Sequence, residues 1–132
     1  MIFGEIMWSK LVHTEHGSFA KQKYEANKLS YHNWSHILDT YAYLEAENVP
    51  YSQTLDLGLL FHDIIYDELP EKELRSAEYM MHYAKWFFDI DVVHDAYELI
   101  MATKDHIVKS TSHLWIVKAD LNNLRNPYRL LS

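Results

Sequence analysis

A histidine and an aspartate stand side by side in the most apolar stretch of the chain. His62 and Asp63 lie within the run LGLLFHDIIY of residues 57–66. Burial of an ionisable group costs several kcal/mol unless the group is paired or coordinates a metal. Imidazole and carboxylate are also ligand types that suit a divalent cation in a hydrolase. The two residues therefore predict either a buried hydrogen-bonded pair or part of a metal site.

Two further places combine a metal-capable side chain with an apolar helical context. His32 and His36 are one helical turn apart, so they could share a helix face. Asp120 lies inside the apolar sequence LWIVKADL of residues 114–121. Two imidazoles and two carboxylates form a mixed nitrogen and oxygen ligand set. Such a set suits Mn, Fe, Co, Ni or Zn better than calcium, which prefers oxygen ligands only.

The order of these groups resembles the H…HD…D pattern of the HD-domain metal-dependent phosphohydrolases. The local sequences are similar to five motifs of a predicted phosphohydrolase branch of that superfamily. YHNWSHI at 31–37 resembles YHNxxHI, FHDIIYD at 61–67 resembles FHDxxYD, ELRSA at 73–77 resembles ExxSA, ATKDH at 102–106 resembles ATxxH, and KADL at 118–121 resembles DADL with Lys118 in place of its first Asp. The resemblance covers residues 31–121, and it implies a single HD domain over residues 1–132.

The resemblance implies a fold, a metal site and an activity. The fold would be an all-α bundle of about six to seven helices around a central metal. The ligands of one divalent ion (Mn, Fe, Co, Ni, Mg or Zn) would be His36, His62, Asp63 and Asp120. The activity would be metal-dependent hydrolysis of a phosphoric ester or pyrophosphate bond in a nucleotide or another small phosphorylated metabolite.

Residues around these ligands are candidates for catalysis and substrate binding. We expect Asp63 to hold the metal and help deprotonate the attacking water, with Glu73 as a second candidate base. Lys104, His106 and His32 could stabilise developing phosphate charge or protonate the leaving group. The catalytic set is thus Asp63, Glu73 and Lys104, and the substrate-binding set is His32, Ser76 and His106. Glu73 and Ser76 could instead belong to an ordinary helix start, and Arg75 is expected to be solvated.

Two other functions fit the same residues. The chain is short for this branch, and the segment after His106 is compressed, so the domain could be catalytically inactive and bind a nucleotide or a protein partner. A diiron oxygenase of the HD type would need further histidine and carboxylate ligands, for which His32 and Glu73 are a thin basis.

The elements that must position these residues are helices. The 132 residues suffice for one domain with a core, and only 3 Gly and 3 Pro are present, too few for many short strands. Seven helices are predicted, and the first is a short helix from Ile6 that ends near Gly17. The next three are a helix over 19–29 capped by Ser18, a helix capped by Asn33 and closed by Pro50, and a helix over 53–66 started by Ser52. The last three are a helix opened by Pro70 and Glu71, a helix capped by Asp91, and, after a loop at 106–112, a helix over 113–124 stopped by Asn126 and Pro127.

Composition excludes several classes of function. A net charge of -7 argues against a stable nucleic-acid complex, because phosphate backbones recruit basic patches. The chain has no cysteine, which removes disulfides, thiolate zinc sites and cysteine nucleophiles. No apolar stretch is long enough for a signal peptide or a membrane span, so we expect a cytoplasmic protein with no membrane partner. The aromatic content of 14% could serve a homodimer face as easily as a core.

Overall fold

Six α-helices form the described part of the protein, which in this computed structural model comprises residues 10–26 and 34–125. They are α1 (Glu15–Ala26), α2 (Trp34–Ala46), α3 (Gln53–Phe61), α4 (Lys72–Ala84), α5 (Ile90–Asp105) and α6 (Thr111–Arg125). These residues contain no strand, which confirms the predicted all-α class. No helix within them is both long enough and apolar enough to cross a membrane.

The third helix is the centre of the bundle. It packs against all five other helices, and every residue from Leu55 to Phe61 is buried. A helix enclosed on all sides buries residues on every face, which explains why this run is apolar all round except at Asp56. Gly58 permits the close approach of α5 and α6, since a Cβ atom at this position would lie 3.4 Å from side-chain atoms of Leu99 and Ile116.

The start of α3 agrees with the sequence prediction, whereas its end does not. Ser52 is the N-cap residue, and its Oγ accepts a hydrogen bond of 3.2 Å from the Leu55 N–H. The helix was expected to continue to Tyr66, but it ends at Phe61. His62 and Asp63 therefore lie in the turn that follows α3 and not inside the helix. In this turn, the backbone N–H groups of Asp63 and Ile65 donate hydrogen bonds to the hydroxyls of Tyr24 on α1 and Ser76 on α4.

Other helix boundaries differ from the predictions by a few residues. α1 begins at Glu15, so Ser18 lies inside it and is not its cap. The N-cap of α5 is Asp89, which places Asp91 in the first turn. α6 begins at Thr111, two residues before the predicted start. The caps and stops predicted at Asn33, Asn126 and Pro127, and the helical residues predicted at 6–9 and 27–29, lie outside the described residues.

Candidate metal centre

Four side chains from three separate parts of the chain meet at one point. His36 comes from the first turn of α2, His62 and Asp63 follow α3, and Asp120 lies on α6. The Nε2 atom of His36 is 3.0 Å from Asp63 Oδ2 and 3.5 Å from Asp120 Oδ1. The Nε2 atom of His62 is 3.6 Å and 3.2 Å from the same two oxygens. The structure thus brings together all four residues predicted as metal ligands.

These distances fit a single small divalent ion. All four ligand atoms lie within 4.8 Å of one another. Nitrogen and oxygen ligands about 2.1 Å from one ion are about 3.0 Å apart along an octahedral edge and about 3.4 Å apart in a tetrahedron. The four measured nitrogen-to-oxygen distances span 3.0 to 3.6 Å. The cluster could therefore hold a metal ion with little movement of its side chains.

The imidazoles form the closed side of the cluster and the carboxylates form its open side. The side chains of His36 and His62 are 4% and 0% exposed, whereas those of Asp63 and Asp120 are 17% and 22% exposed. Among the described residues, the carboxylates are therefore the part of the cluster that solvent can reach. Buried imidazoles with partly exposed carboxylates give a site that is anchored in the core and still open to solvent.

The orientation of the His62 ring is fixed by its second nitrogen. Nδ1 lies 2.8 Å from the backbone oxygen of Leu59. A carbonyl oxygen can only accept, so Nδ1 carries the hydrogen and donates to it. Nε2 is then the nitrogen directed at the carboxylates, and it is the atom that can coordinate a metal. A ring N–H donated to a backbone carbonyl is typical of metal-binding histidines, because it sets both the tautomer and the ring orientation.

The protonation of the cluster follows from its mutual contacts. Burial lowers the pKa of His62, but the charge of Asp63 and the hydrogen bond and charge of Asp120 outweigh it and raise the pKa to about 9. Burial lowers the pKa of His36, but hydrogen bonding of its ring to the carboxylates of Asp120 and Asp63 outweighs this effect, so the pKa is also raised. Burial would raise the pKa of Asp120, yet the two imidazoles lower it to about 2. Without metal, the carboxylates thus favour the protonated form of both imidazoles.

Three other predicted residues lie where the start of α4 meets the end of α5. Lys104 Nζ donates to both carboxylate oxygens of Glu71, at 2.8 and 3.0 Å, and this ion pair is exposed. His106 is exposed and ends α5 in a left-handed conformation, with φ of 60°. Glu73 is half-buried on α4. Within the described residues, none of these three makes a hydrogen bond or ion pair with the four ligands, so their catalytic and substrate-binding roles stay predictions.

Ser76 is placed differently from the substrate-binding prediction. It is fully buried, and its hydroxyl accepts from the Ile65 N–H at 3.0 Å and donates to the Ile65 carbonyl at 3.3 Å. The hydroxyl is thus occupied by backbone two residues after Asp63 and is closed to solvent, so it cannot contact a substrate from this position. The remaining predicted substrate ligand, His32, lies outside the described residues.

Sequence reasoning missed three features of the structure. The Tyr24 hydroxyl forms hydrogen bonds with the backbone of Leu60 and Asp63, at 2.8 and 3.3 Å. The spacing of residues along α1 does not indicate that this hydroxyl would reach the end of α3. Arg75, which was expected to be solvated, is partly exposed and also forms a two-pronged ion pair with Asp67, at 2.9 and 2.8 Å. Asp56 is also completely buried, and its position inside an apolar run was a signal of the same kind as that of His62 and Asp63.

Comparison of the chain with family models, with curated proteins and with solved structures gives no match. The likeness to HD-domain phosphohydrolases therefore rests on the five sequence motifs. The site itself is a partly open, core-anchored cluster of two histidines and two aspartates that could hold one metal ion.

Proposed function

We propose that this chain is a metal-dependent phosphohydrolase of the HD-domain type that acts on a nucleotide or another small phosphorylated metabolite. The observation that carries the proposal is the convergence of His36, His62, Asp63 and Asp120, whose ligand atoms lie within 4.8 Å of one another. The sequence motifs single out these four residues although up to 84 positions separate them, as their numbers show. Such convergence is expected if the motifs serve a common metal site.

The ligand set determines what the site could do. When bound, a divalent ion would lower the pKa of a water molecule and polarise a phosphoryl oxygen. The imidazoles of His36 and His62 would bind through Nε2, and the carboxylates of Asp63 and Asp120 would complete the set. Histidine and carboxylate ligands suit Mn, Fe, Co, Ni or Zn, with Mg as a further candidate.

Asp63 is our candidate for proton transfer. Its carboxylate lies on the open side of the cluster, where a water molecule and a phosphorylated substrate would approach. A carboxylate within hydrogen-bond reach of that water can accept its proton during attack on phosphorus. Asp63 would thus both anchor the metal and act as general base.

Lys104 is a candidate for binding the substrate's phosphate. It is exposed, and its ammonium group already binds an anionic oxygen pair, that of Glu71. A phosphate group also offers two anionic oxygens, so it could replace the Glu71 carboxylate as the partner of Lys104. Since the pair is exposed, this replacement would not bury a charge. Exchange of this exposed ion pair would cost little, since such pairs contribute about 0–1 kcal/mol.

Phosphate release from a panel of nucleotides and sugar phosphates tests the proposal. With Mn²⁺ present, the protein should hydrolyse at least one member, and Asp63→Ala should reduce the rate to background. Asp95→Ala is the matched control, because Asp95 is an exposed aspartate on α5 whose carboxylate lies 3.4 Å from Nδ1 of the exposed His94. No release with any divalent metal, together with retained nucleotide binding, would refute the enzyme and favour a nucleotide-binding domain.

A further inference from the structure

The hydroxyl of Tyr24 bridges two backbone groups at the end of α3. Tyr24 is fully buried on α1, 36 residues before Leu60 and 39 before Asp63. It donates a hydrogen bond of 2.8 Å to the Leu60 carbonyl and accepts one of 3.3 Å from the Asp63 N–H. One side chain from a distant helix thus contacts the backbone of a metal-ligand candidate.

These bonds replace those of a continuing helix. In a longer α3, the Asp63 N–H would donate to the Leu59 carbonyl, and the Leu60 carbonyl would accept from Ile64. Instead, the ring of His62 donates to the Leu59 carbonyl, and Tyr24 contacts both Leu60 and Asp63. The Ile64 N–H turns back to Phe61 at 3.1 Å. The helix therefore ends because side chains satisfy the groups that would extend it.

The end of the helix matters for the chemistry of the site. Consecutive residues of a regular α-helix point about 100° apart, so neighbouring side chains do not face each other. His62 and Asp63 are consecutive, yet His62 Nε2 and Asp63 Oδ2 lie 3.6 Å apart. The two side chains meet beyond Phe61, where α3 has ended, although His62 itself keeps helical dihedral angles of φ −64° and ψ −24°.

We propose that Tyr24 is a positioning residue for the metal centre, which it serves by holding the backbone of Asp63 through its hydroxyl. Ser76 of α4 supports the same turn from another side, through its two hydrogen bonds to Ile65. This inference rests on the proposed metal centre for its functional meaning. Its structural content, the restraint of Asp63 by a hydroxyl of α1, can be measured in the metal-free protein.

Tyr24→Phe removes the hydroxyl and keeps the buried ring. Tyr41→Phe is the matched control, because Tyr41 is also buried and its hydroxyl also binds the backbone of α3, at Asp56 near the other end of that helix. Outer-sphere partners typically change metal affinity by about 10- to 100-fold. Titration calorimetry with Mn²⁺ should therefore show at least about tenfold weaker binding for Tyr24→Phe and less than twofold change for Tyr41→Phe.

Amide hydrogen exchange gives a readout that needs no metal. In Tyr24→Phe, exchange of the Asp63 amide should become about tenfold faster relative to the amides of α3, and Tyr41→Phe should leave that ratio unchanged. If Tyr24→Phe does not fold, Ser76→Ala provides the same comparison through the Ile65 amide and the Mn²⁺ affinity.

The outcomes separate this inference from the proposed function. If the unmodified protein binds no divalent metal, the proposed function is wrong, and the exchange of the Asp63 amide alone decides whether Tyr24 positions that residue. If the protein binds Mn²⁺ and Tyr24→Phe binds it equally well, the positioning role is wrong while the proposed function stands. An Asp63 amide whose exchange is the same with and without the hydroxyl also overturns the inference.

Discussion

Metal binding at this site should release a proton, because the metal and a proton compete for the Nε2 atom of His62. The adjacent Asp63 and Asp120 outweigh the effect of burial and raise the His62 pKa to about 9, from an ordinary value of 6.5. Nδ1 keeps its hydrogen through the bond to Leu59, so the proton that titrates is the one on Nε2. A metal can occupy that nitrogen only after this proton has left.

The size of the effect follows from the raised pKa. With a pKa of about 9, His62 is about 99% protonated at pH 7, so each bound metal displaces about one proton. The Kd for Mn²⁺ should then fall about tenfold for each pH unit between pH 7 and 8.5 and become level above pH 9. A histidine of ordinary pKa would instead give a nearly constant Kd above pH 7.5. Protonation of His36, whose pKa is also raised, would steepen the dependence.

Titration calorimetry with Mn²⁺ measures both quantities. The observed enthalpy, compared between buffers of different ionisation enthalpy, gives the number of protons released, and a pH series gives the Kd. His94→Gln serves as the control, since His94 is an exposed histidine on α5 and its loss should alter neither result. A Kd that changes less than twofold between pH 7 and 8.5, with no proton release, would refute the reasoning.

Three further changes test other parts of the structure. In the metal-free protein, the raised pKa of His62 contributes on the order of 3 kcal/mol to the free energy of unfolding, and this contribution is complete below pH 6.5. It should be lost as the pH rises through 9, which urea unfolding with a chelator present would measure. Gly17→Ala should destabilise the protein by about 1–3 kcal/mol in urea unfolding, because its Cβ atom would clash with the Val12 carbonyl oxygen. The exposed Ser18→Ala is the control and should change stability by less than about 0.5 kcal/mol. His106→Gly should stabilise by about 0.5–1 kcal/mol by relieving the left-handed φ of 60°, and an accompanying loss of phosphate release would show that the imidazole acts in catalysis.

Local signals in the sequence were sufficient to predict the helical class and the start of α3. The side chain of Ser52 caps that helix by accepting a hydrogen bond from the N–H of Leu55, three residues later. The capping residue and the group that it binds therefore lie within one helical turn, where a local sequence pattern can reveal them. The end of α3 depends on groups far away in sequence, namely the hydroxyls of Tyr24 and Ser76. Periodicity within a window of residues carries no information about such partners, and the helix was therefore predicted to extend five residues too far.

The candidate ligands could be predicted because each is an ionisable residue in an apolar part of the sequence, where burial of an unpaired charge would be unfavourable. The surrounding residues could not, since their roles depend on which neighbour they meet. Arg75 is an example, because its pairing with Asp67 requires the loop between α3 and α4 to turn back on α4. Ser76 is another, because helix packing directs its hydroxyl to the backbone of Ile65 and not to the open side of the site.

Asp56 shows how a structural buried acid differs from a candidate metal ligand. Its carboxylate accepts hydrogen bonds from the hydroxyls of Tyr41 and Tyr51 and from the Leu11 N–H, at 3.2 Å for the last. These tyrosine hydroxyl and backbone N–H donors satisfy the carboxylate of Asp56 and are not themselves metal ligands of the kind that imidazole provides. The carboxylates of Asp63 and Asp120 instead contact imidazole nitrogens, which become metal ligands themselves once they lose a proton. All three acids lie in apolar runs of the sequence. Only the chemistry of their partners distinguishes the structural acid Asp56 from the two carboxylates of a site that can exchange protons for metal.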